Sequence, residues 1–333
     1  MTTDRSRQAC AALRIGQITG EAVMYHRSWL FVPANSEKKL GKAFQTGADV
    51  VVVDLEDSVP AEAKPEARDT AALWLGARRR MLVEHRPIGR WVRINALESQ
   101  MWREDLAAVM PAAPDGIVLP KASGPEAVRK LAAEIYEFEQ RHELPSGSTK
   151  ILPLVSETPH AVMTIGSYVD APHQRLFGFS WEVEQLSAAL GASRKRDASG
   201  SWTGALQFAR AQTLLTAHAC GIAAIETFSS DFADEWGLRT AARAARADGF
   251  SGMLAIHPEQ VAVINEAFTP GEEEIGEARR VVAAFESSPG EEVVQLDGRM
   301  IDQPQLKLAY QILGTAEGLE QANRTRESIL RPA

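Results

Sequence analysis

A chain of 333 residues, 45% of them apolar, has the length for one large barrel with an appendage or for two ordinary domains. Its formal charge of −8 argues against general nucleic-acid binding, while leaving room for a local basic cluster that meets an anionic ligand. The two cysteines, Cys10 and Cys220, suit neither a disulfide framework nor a zinc site, and no apolar run reaches the roughly 18 residues of a membrane span, so a cytoplasmic protein is expected.

Residues 1–25 carry Arg5, Arg7 and Arg14 without a continuous apolar stretch, make a poor signal peptide, and are expected to form a poorly ordered tail. Eight short apolar, β-branched runs follow: Trp29–Val32, Val50–Leu55, Trp91–Ile94, Gly116–Leu119, Ile151–Val155, Leu176–Ser180, Ile222–Ile225 and Met253–Ile256. Several are apolar at successive positions, as strands buried on both faces must be. Amphipathic stretches such as Glu37–Thr46, Glu62–Ala77, Pro125–Gln140 and Phe232–Ala247 lie between them. This alternation predicts an α/β fold of the TIM-barrel type, (β/α)8, over residues 26–270. A doubly wound open sheet is the weaker alternative, because no Gly-x-Gly-x-x-Gly follows an early strand. Residues 271–333 read as a C-terminal helical extension or lid: a helix over Glu272–Ser287, a loop or ribbon over Pro289–Arg299, and a helix over Gln303–Leu313.

In such a barrel the chemistry sits at the carboxyl ends of the strands. There the sequence places Asp54, Glu56 and Asp57, then Arg93 and Asn95, Lys121, Glu157, the run Glu182-Val183-Glu184-Gln185, Glu226, and His257-Pro258. Each has an ordinary reading as well. The 54–57 carboxylates could solvate a loop or cap a helix, Arg93 could be an ion-pair partner for Glu56, Glu157 could favour a helix start, Lys121 could lie on the surface, and His257 could be a satisfied structural histidine. Taken together, several carboxylates with few histidines suit a hard cation such as Mg²⁺ on oxygen ligands. A fixed guanidinium beside it can stabilise an enolate or bind a carboxylate. Formation or cleavage of a bond next to a carbonyl fits that set.

Seven segments occur in order: Arg27-Ser-Trp-Leu-Phe-Val-Pro-Ala-Asn35, Val53-Asp-Leu-Glu-Asp-Ser-Val59, Val92-Arg-Ile-Asn95, Val118-Leu-Pro-Lys121, Ser156-Glu-Thr158, Ile256-His-Pro258 and Gly298-Arg-Met-Ile-Asp302. On these the chain resembles the citrate lyase beta-subunit-like branch of the HpcH/HpaI aldolase/citrate lyase superfamily, with malyl-CoA and citramalyl-CoA lyases, over residues 27–314. The resemblance implies a homotrimer or hexamer, Mg²⁺ (or Mn²⁺) as cofactor, and an acyl-CoA or 2-oxo acid as substrate. It implies that Glu157 binds the metal, that Arg93 stabilises the enolate, and that Glu56 and Asp57 hold the metal's water shell. It also implies that Asp302, on a lid exchanged between subunits, acts as base, and that Arg27, Lys38, Lys121 and Pro258 contact substrate or CoA. Without the resemblance, Asp302 reads as a helix N-cap before Gln303-Pro304.

The match departs at one metal position. The family's Gly-x-Glu-Asp-Leu segment aligns with Glu182-Val183-Glu184-Gln185-Leu186, so a metal aspartate falls on Gln185, which offers an oxygen without the charge, and Glu184 is the carboxylate nearest to replace it. Three functions are therefore expected to compete: a Mg²⁺-dependent carbon–carbon lyase of a 3-hydroxyacyl-CoA, an acyl-CoA-binding or assembly subunit with weak catalysis, and an aldolase of free 2-oxo acids.

Overall fold

A computed structural model of the chain describes residues 26–81 and 88–330. The tail expected over residues 1–25 lies outside the described residues. Two compact units form, one spanning His26–Phe268 and the other beginning at Thr269.

The first unit contains eight parallel strands: β1 (Ser28–Pro33), β2 (Val50–Asp54), β3 (Gly89–Arg93), β4 (Gly116–Leu119), β5 (Lys150–Pro153), β6 (Gly178–Ser180), β7 (Ala223–Glu226) and β8 (Gly252–Ala255). Their order is β5-β4-β3-β2-β1-β8-β7-β6. The remaining seam, between β5 and β6, is bridged where Phe177 N donates to Ile151 O at 3.0 Å and Val155 N to Ser180 O at 2.9 Å. The sheet thus curls into the expected (β/α)8 barrel. Its helices are α1 (Glu37–Ala43), α2 (Lys64–Met81), α3 (Trp102–Val109), α4 (Pro125–Arg141), α5 (Pro159–Thr164), α6 (Val183–Ala189), α7 (Gly204–Ala219), α8 (Glu235–Asp248) and α9 (Pro258–Ala267).

The pleat sorts the strand residues between two cores, because successive side chains point to opposite faces. Leu30, Val32, Val51, Val53, Val92 and Ile117 join the large cluster against the helices. Trp29, Val50, Val52, Trp91, Val118, Leu152, Leu154, Ile225 and Leu254 fill the barrel instead. Trp29 meets Trp91 edge-on with centroids 4.9 Å apart, and Phe177 lies 5.4 Å from both. Each such aromatic pair contributes about 0.5–1.5 kcal/mol beyond burial. Gly116 is required beneath this plug, since a Cβ there would collide with the Trp91 ring.

The second unit holds α10 (Glu272–Glu286), an antiparallel hairpin of β9 (Val293–Leu296) and β10 (Arg299–Asp302), and α11 (Gln303–Leu330). Asp297 and Gly298 both have positive φ, 51° and 77°, as the two-residue turn of a tight hairpin demands. Ala278, Val281, Phe285, Val294 and Ile301 form its core.

Candidate active site

Period two along the strands decides which rim groups enter the barrel mouth. Asp54 shares parity with Val50 and Val52, and Arg93 with Trp91, so both point inward above the aromatic plug. Asp54 and Arg93 are partners in register, and Arg93 Nε and Nη2 donate to Asp54 Oδ1 and Oδ2, each at 2.7 Å. The guanidinium lies over the Phe31 ring, 5.0 Å from its centroid. Its remaining terminal nitrogen, Nη1, is 3.4 Å from Glu56 Oε2.

Glu56 is held in place by its backbone. Asp54 Oδ1 accepts from Glu56 N at 2.9 Å, and the buried Lys64 Nζ donates to the carbonyl oxygens of Leu55 (2.8 Å) and Glu56 (3.0 Å). Asn95 Nδ2 donates to Leu55 O at 3.1 Å and is itself fixed by Asp105, which pairs with Arg68. These supports span up to 40 residues of sequence and carry no local signal; Lys64, Asp105 and Arg68 were absent from the sequence-based site.

Lys121 ties the next two strands to the cluster. Its Nζ donates to Glu56 Oε1 at 2.9 Å and lies 3.8 Å from Asp57 Oδ1, while its backbone N–H donates to Glu157 Oε2 in a short hydrogen bond. Lys121 has φ 50°, the left-handed region that costs a non-glycine residue about 1 kcal/mol or more and recurs at functional sites. Ser156 Oγ accepts from Glu182 N at 2.8 Å, joining the ends of β5 and β6.

Glu182 is engaged with the backbone. Its carboxylate caps α6, accepting from the N–H groups of Glu184 (3.1 Å) and Gln185 (2.5 Å). Glu184 receives Lys195 Nζ on both oxygens at 2.5 Å, so the carboxylate expected to replace the missing aspartate is engaged in an ion pair. Gln185 Nε2 donates to Asp57 Oδ2 at 2.8 Å. Because a carboxylate only accepts, that contact fixes which end of the amide faces Asp57.

The electrostatics follow from burial. Desolvation works to raise the Asp54 pKa, but the charge and hydrogen bonds of Arg93 outweigh it and hold the carboxyl below its usual range. Glu56 is raised by burial more than Arg93 and Lys121 lower it. Burial, and then the charge of Glu56, push Glu157 up to about 8. Glu182 is raised by burial. Burial works against the charge of Lys121, yet its hydrogen bond to Glu56 and that carboxylate's charge raise its pKa.

The structure thus brings Glu56, Asp57, Arg93, Lys121, Glu157 and Gln185 to one end of the barrel. Lys38 and Pro258 stand exposed at the starts of α1 and α9, at the same end. Arg27 does not join them. It precedes β1 and pairs with Asp49 at 2.8 Å before β2, at the amino end of the strands, so its expected contact with CoA is withdrawn. Glu226 is also misplaced by counting strand ends alone: its parity is opposite to that of Ile225, and it meets Arg210 of α7 at 2.6 Å outside the barrel. It lines a cleft of about 1140 Å³ with Trp202, Arg210 and Trp236, into which Arg93, Lys121 and Glu157 do not reach. Asp302 lies in the second unit, exposed at the start of α11. Its N–H donates to Gln305 Oε1 at 2.7 Å, and Gln305 N reaches back to Asp302 Oδ1 at 3.5 Å.

Among the described residues no three His, Cys, Asp or Glu side chains form a ready cage for a metal ion. Two carboxylate oxygens, Glu56 Oε2 and Glu157 Oε1, are nevertheless buried without a hydrogen-bond partner. A hard cation that retains water needs no more than one or two protein carboxylates, so the donor set fits magnesium. No helix among the described residues is long and apolar enough to cross a membrane.

The pattern of the HpcH/HpaI aldolase/citrate lyase family matches residues 27–258. The chain is 32% identical to the mitochondrial citramalyl-CoA lyase of Mus musculus over 92% of its own length and 91% of that protein. It is 34% identical to a citrate lyase subunit beta-like protein of Mycobacterium tuberculosis, over 86% and 94%. The crystal structure of CitE from Mycobacterium tuberculosis in complex with magnesium, acetoacetate and coenzyme A superposes with a TM-score of 0.69 at 32% identity, covering 88% of this chain and 98% of that one. With its family pattern spanning most of the barrel and its relatives matched nearly end to end, the chain belongs to the HpcH/HpaI aldolase/citrate lyase family.

Proposed function

We propose that the protein is a magnesium-dependent carbon–carbon lyase that cleaves, or forms, a 3-hydroxyacyl-CoA such as malyl-CoA or citramalyl-CoA. The observation that carries this reading is a locked guanidinium, Arg93, beside two buried carboxylates, Glu56 and Glu157, that each keep an oxygen without a hydrogen-bond partner. The relatives named for citramalyl-CoA cleavage, and the neighbour holding magnesium and coenzyme A, support the same chemistry.

Glu157 and Glu56 would hold the ion, which would supply Lewis-acid stabilisation of the charge that develops on the substrate. Asp302, from a neighbouring subunit of a homotrimer or hexamer, takes the hydroxyl proton. The C–O bond becomes the carbonyl of a 2-oxo acid, the C–C bond breaks, and its electron pair passes to the thioester as an enolate. Arg93 presents Nη1 to that enolate oxygen, its other edge being spent on Asp54. Return of a proton from the protonated Asp302 to the enolate carbon then yields acetyl-CoA or propionyl-CoA and restores the base. Lys121 keeps Glu56 oriented throughout, and Lys38 stands exposed where an anionic CoA group could meet it. We place the reaction in the cytoplasm.

The test is a screen of malyl-CoA, citramalyl-CoA and methylmalyl-CoA with Mg²⁺ or Mn²⁺, following release of the 2-oxo acid. Cleavage of at least one ester, abolished by Glu157→Ala, is expected. Thioester binding without cleavage at saturating metal, unrepaired by Gln185→Asp, would replace the lyase with the binding-subunit reading. Cleavage of free hydroxy acids alone would replace it with the CoA-independent aldolase.

A further inference from the structure

The acidic groups at the barrel mouth differ in how many oxygens are already committed. Asp54 gives both to Arg93. Glu182 gives both to the first turn of α6, and Glu184 gives both to Lys195. Asp57 accepts from Gln185 on one oxygen and faces the Lys121 ammonium with the other. Glu56 and Glu157 alone in this group each retain a buried oxygen with no hydrogen-bond partner. Both side chains are at least 95% buried, with exposures of 5% and 2%. Their other oxygens are gripped by a single residue, Lys121, through its ammonium on Glu56 and its backbone N–H on Glu157.

An unpaired carboxylate oxygen out of water is costly, and two carboxylates near one another add repulsion. Arg93 Nη1, at 3.4 Å from Glu56 Oε2, offsets part of this without making a hydrogen bond. A divalent cation held by these two carboxylates would supply the positive charge that their unpartnered oxygens lack.

Resting on the lyase reading above, we propose that Glu56 and Glu157 are the direct protein ligands of the divalent metal in this chain, and that residues 184 and 185 are not. Gln185 is a tether for Asp57, with its amide turned to donate. Lys121 is the clamp that sets both ligands, and its left-handed backbone is what lets side chain and N–H reach different carboxylates. Waters and substrate oxygens fill the remaining positions.

The test is Mn²⁺ binding to the purified full-length protein, read by electron paramagnetic resonance and calorimetry and so independent of turnover. Glu56→Gln and Glu157→Gln are each expected to weaken Mn²⁺ at least tenfold. Glu184→Gln and Gln185→Ala are expected to change it less than threefold. Glu56→Asp, which keeps the charge and withdraws the oxygen, guards against misfolding of the neutral variant and is also expected to weaken binding. Binding unaffected at Glu56 but lost at Glu184 or Gln185 would overturn the assignment, as would wild-type protein that takes up no Mn²⁺ at millimolar concentration. A protein that shows the expected ligand pattern and cleaves no thioester sinks the lyase reading alone. A lyase whose Mn²⁺ binding tracks residues 184 and 185 sinks the ligand assignment alone.

Discussion

Arg93 and Asp54 stand opposite one another on adjacent parallel strands and meet through two hydrogen bonds of 2.7 Å. With Phe31 beneath the guanidinium, that fork leaves one edge of Arg93 facing the mouth. Lysine keeps the charge and loses the planar fork. Arg93→Lys is therefore expected to lower kcat/KM by about 10²–10³, the usual loss when a preorganised donor is removed. Steady-state kinetics on a cleaved thioester checks this, and a lysine variant within fivefold of wild type would remove Arg93 from the enolate step.

Asp302 and Arg93 belong to different compact units. If they act across a subunit boundary, mixing inactive Asp302→Asn protein with inactive Arg93→Lys protein should restore activity, because mixed oligomers contain sites with both native groups. About a quarter of wild-type activity or less is expected at equal mixing, by the statistics of assembly. No recovery after verified subunit exchange would confine the base to its own chain.

Away from the mouth, a buried ion pair joins Glu139 of α4 to Arg175, with hydrogen bonds of 2.6 and 2.7 Å; Gly147 N and Thr149 N also donate to Glu139. Burial works to raise the Glu139 pKa, but these donors outweigh it and hold it below the usual carboxylate range. Below that range the unfolded chain binds a proton that the folded chain refuses, so stability falls on acidification. Glu139→Gln strands a buried guanidinium and is expected to cost about 3–5 kcal/mol at pH 7. Urea denaturation should show the gap between variant and wild type narrowing at pH 3; a constant gap would disconnect the pair from acid stability.

Gly116→Ala probes the barrel interior. The added methyl meets the Trp91 ring, and overpacking of this kind costs about 1–3 kcal/mol. The denaturation midpoint and the emission of Trp91 should shift together. An unchanged midpoint would mean that the ring has space to move.

Much of the fold was legible because its cues are local. All eight strand runs lie on observed strands, with ends differing by at most two residues, and the stretch expected as loop or ribbon over Pro289–Arg299 holds the Asp297-Gly298 turn of the hairpin. The site was legible only in outline. Arg93, Glu56 and Lys121 could be placed by strand end, but Glu226 shows that an end without its parity misleads. Arg27 shows the same for direction, since a residue preceding a strand sits at the opposite mouth. The helix cap made by Glu182 depends on where α6 begins, and the hold of Lys195 on Glu184 is a side-chain contact made across the following loop; residue type alone marks neither. The supports at Lys64 and Asn95 act through carbonyl oxygens, which every residue owns, and Asp105 acts one step further back, by holding Asn95.

The stack of Trp29, Trp91 and Phe177 below Arg93 makes the barrel a blind well. A ligand of Glu157 would therefore enter and leave at the carboxyl ends of the strands, and under the proposed cleavage the fragment lodged deeper would leave second.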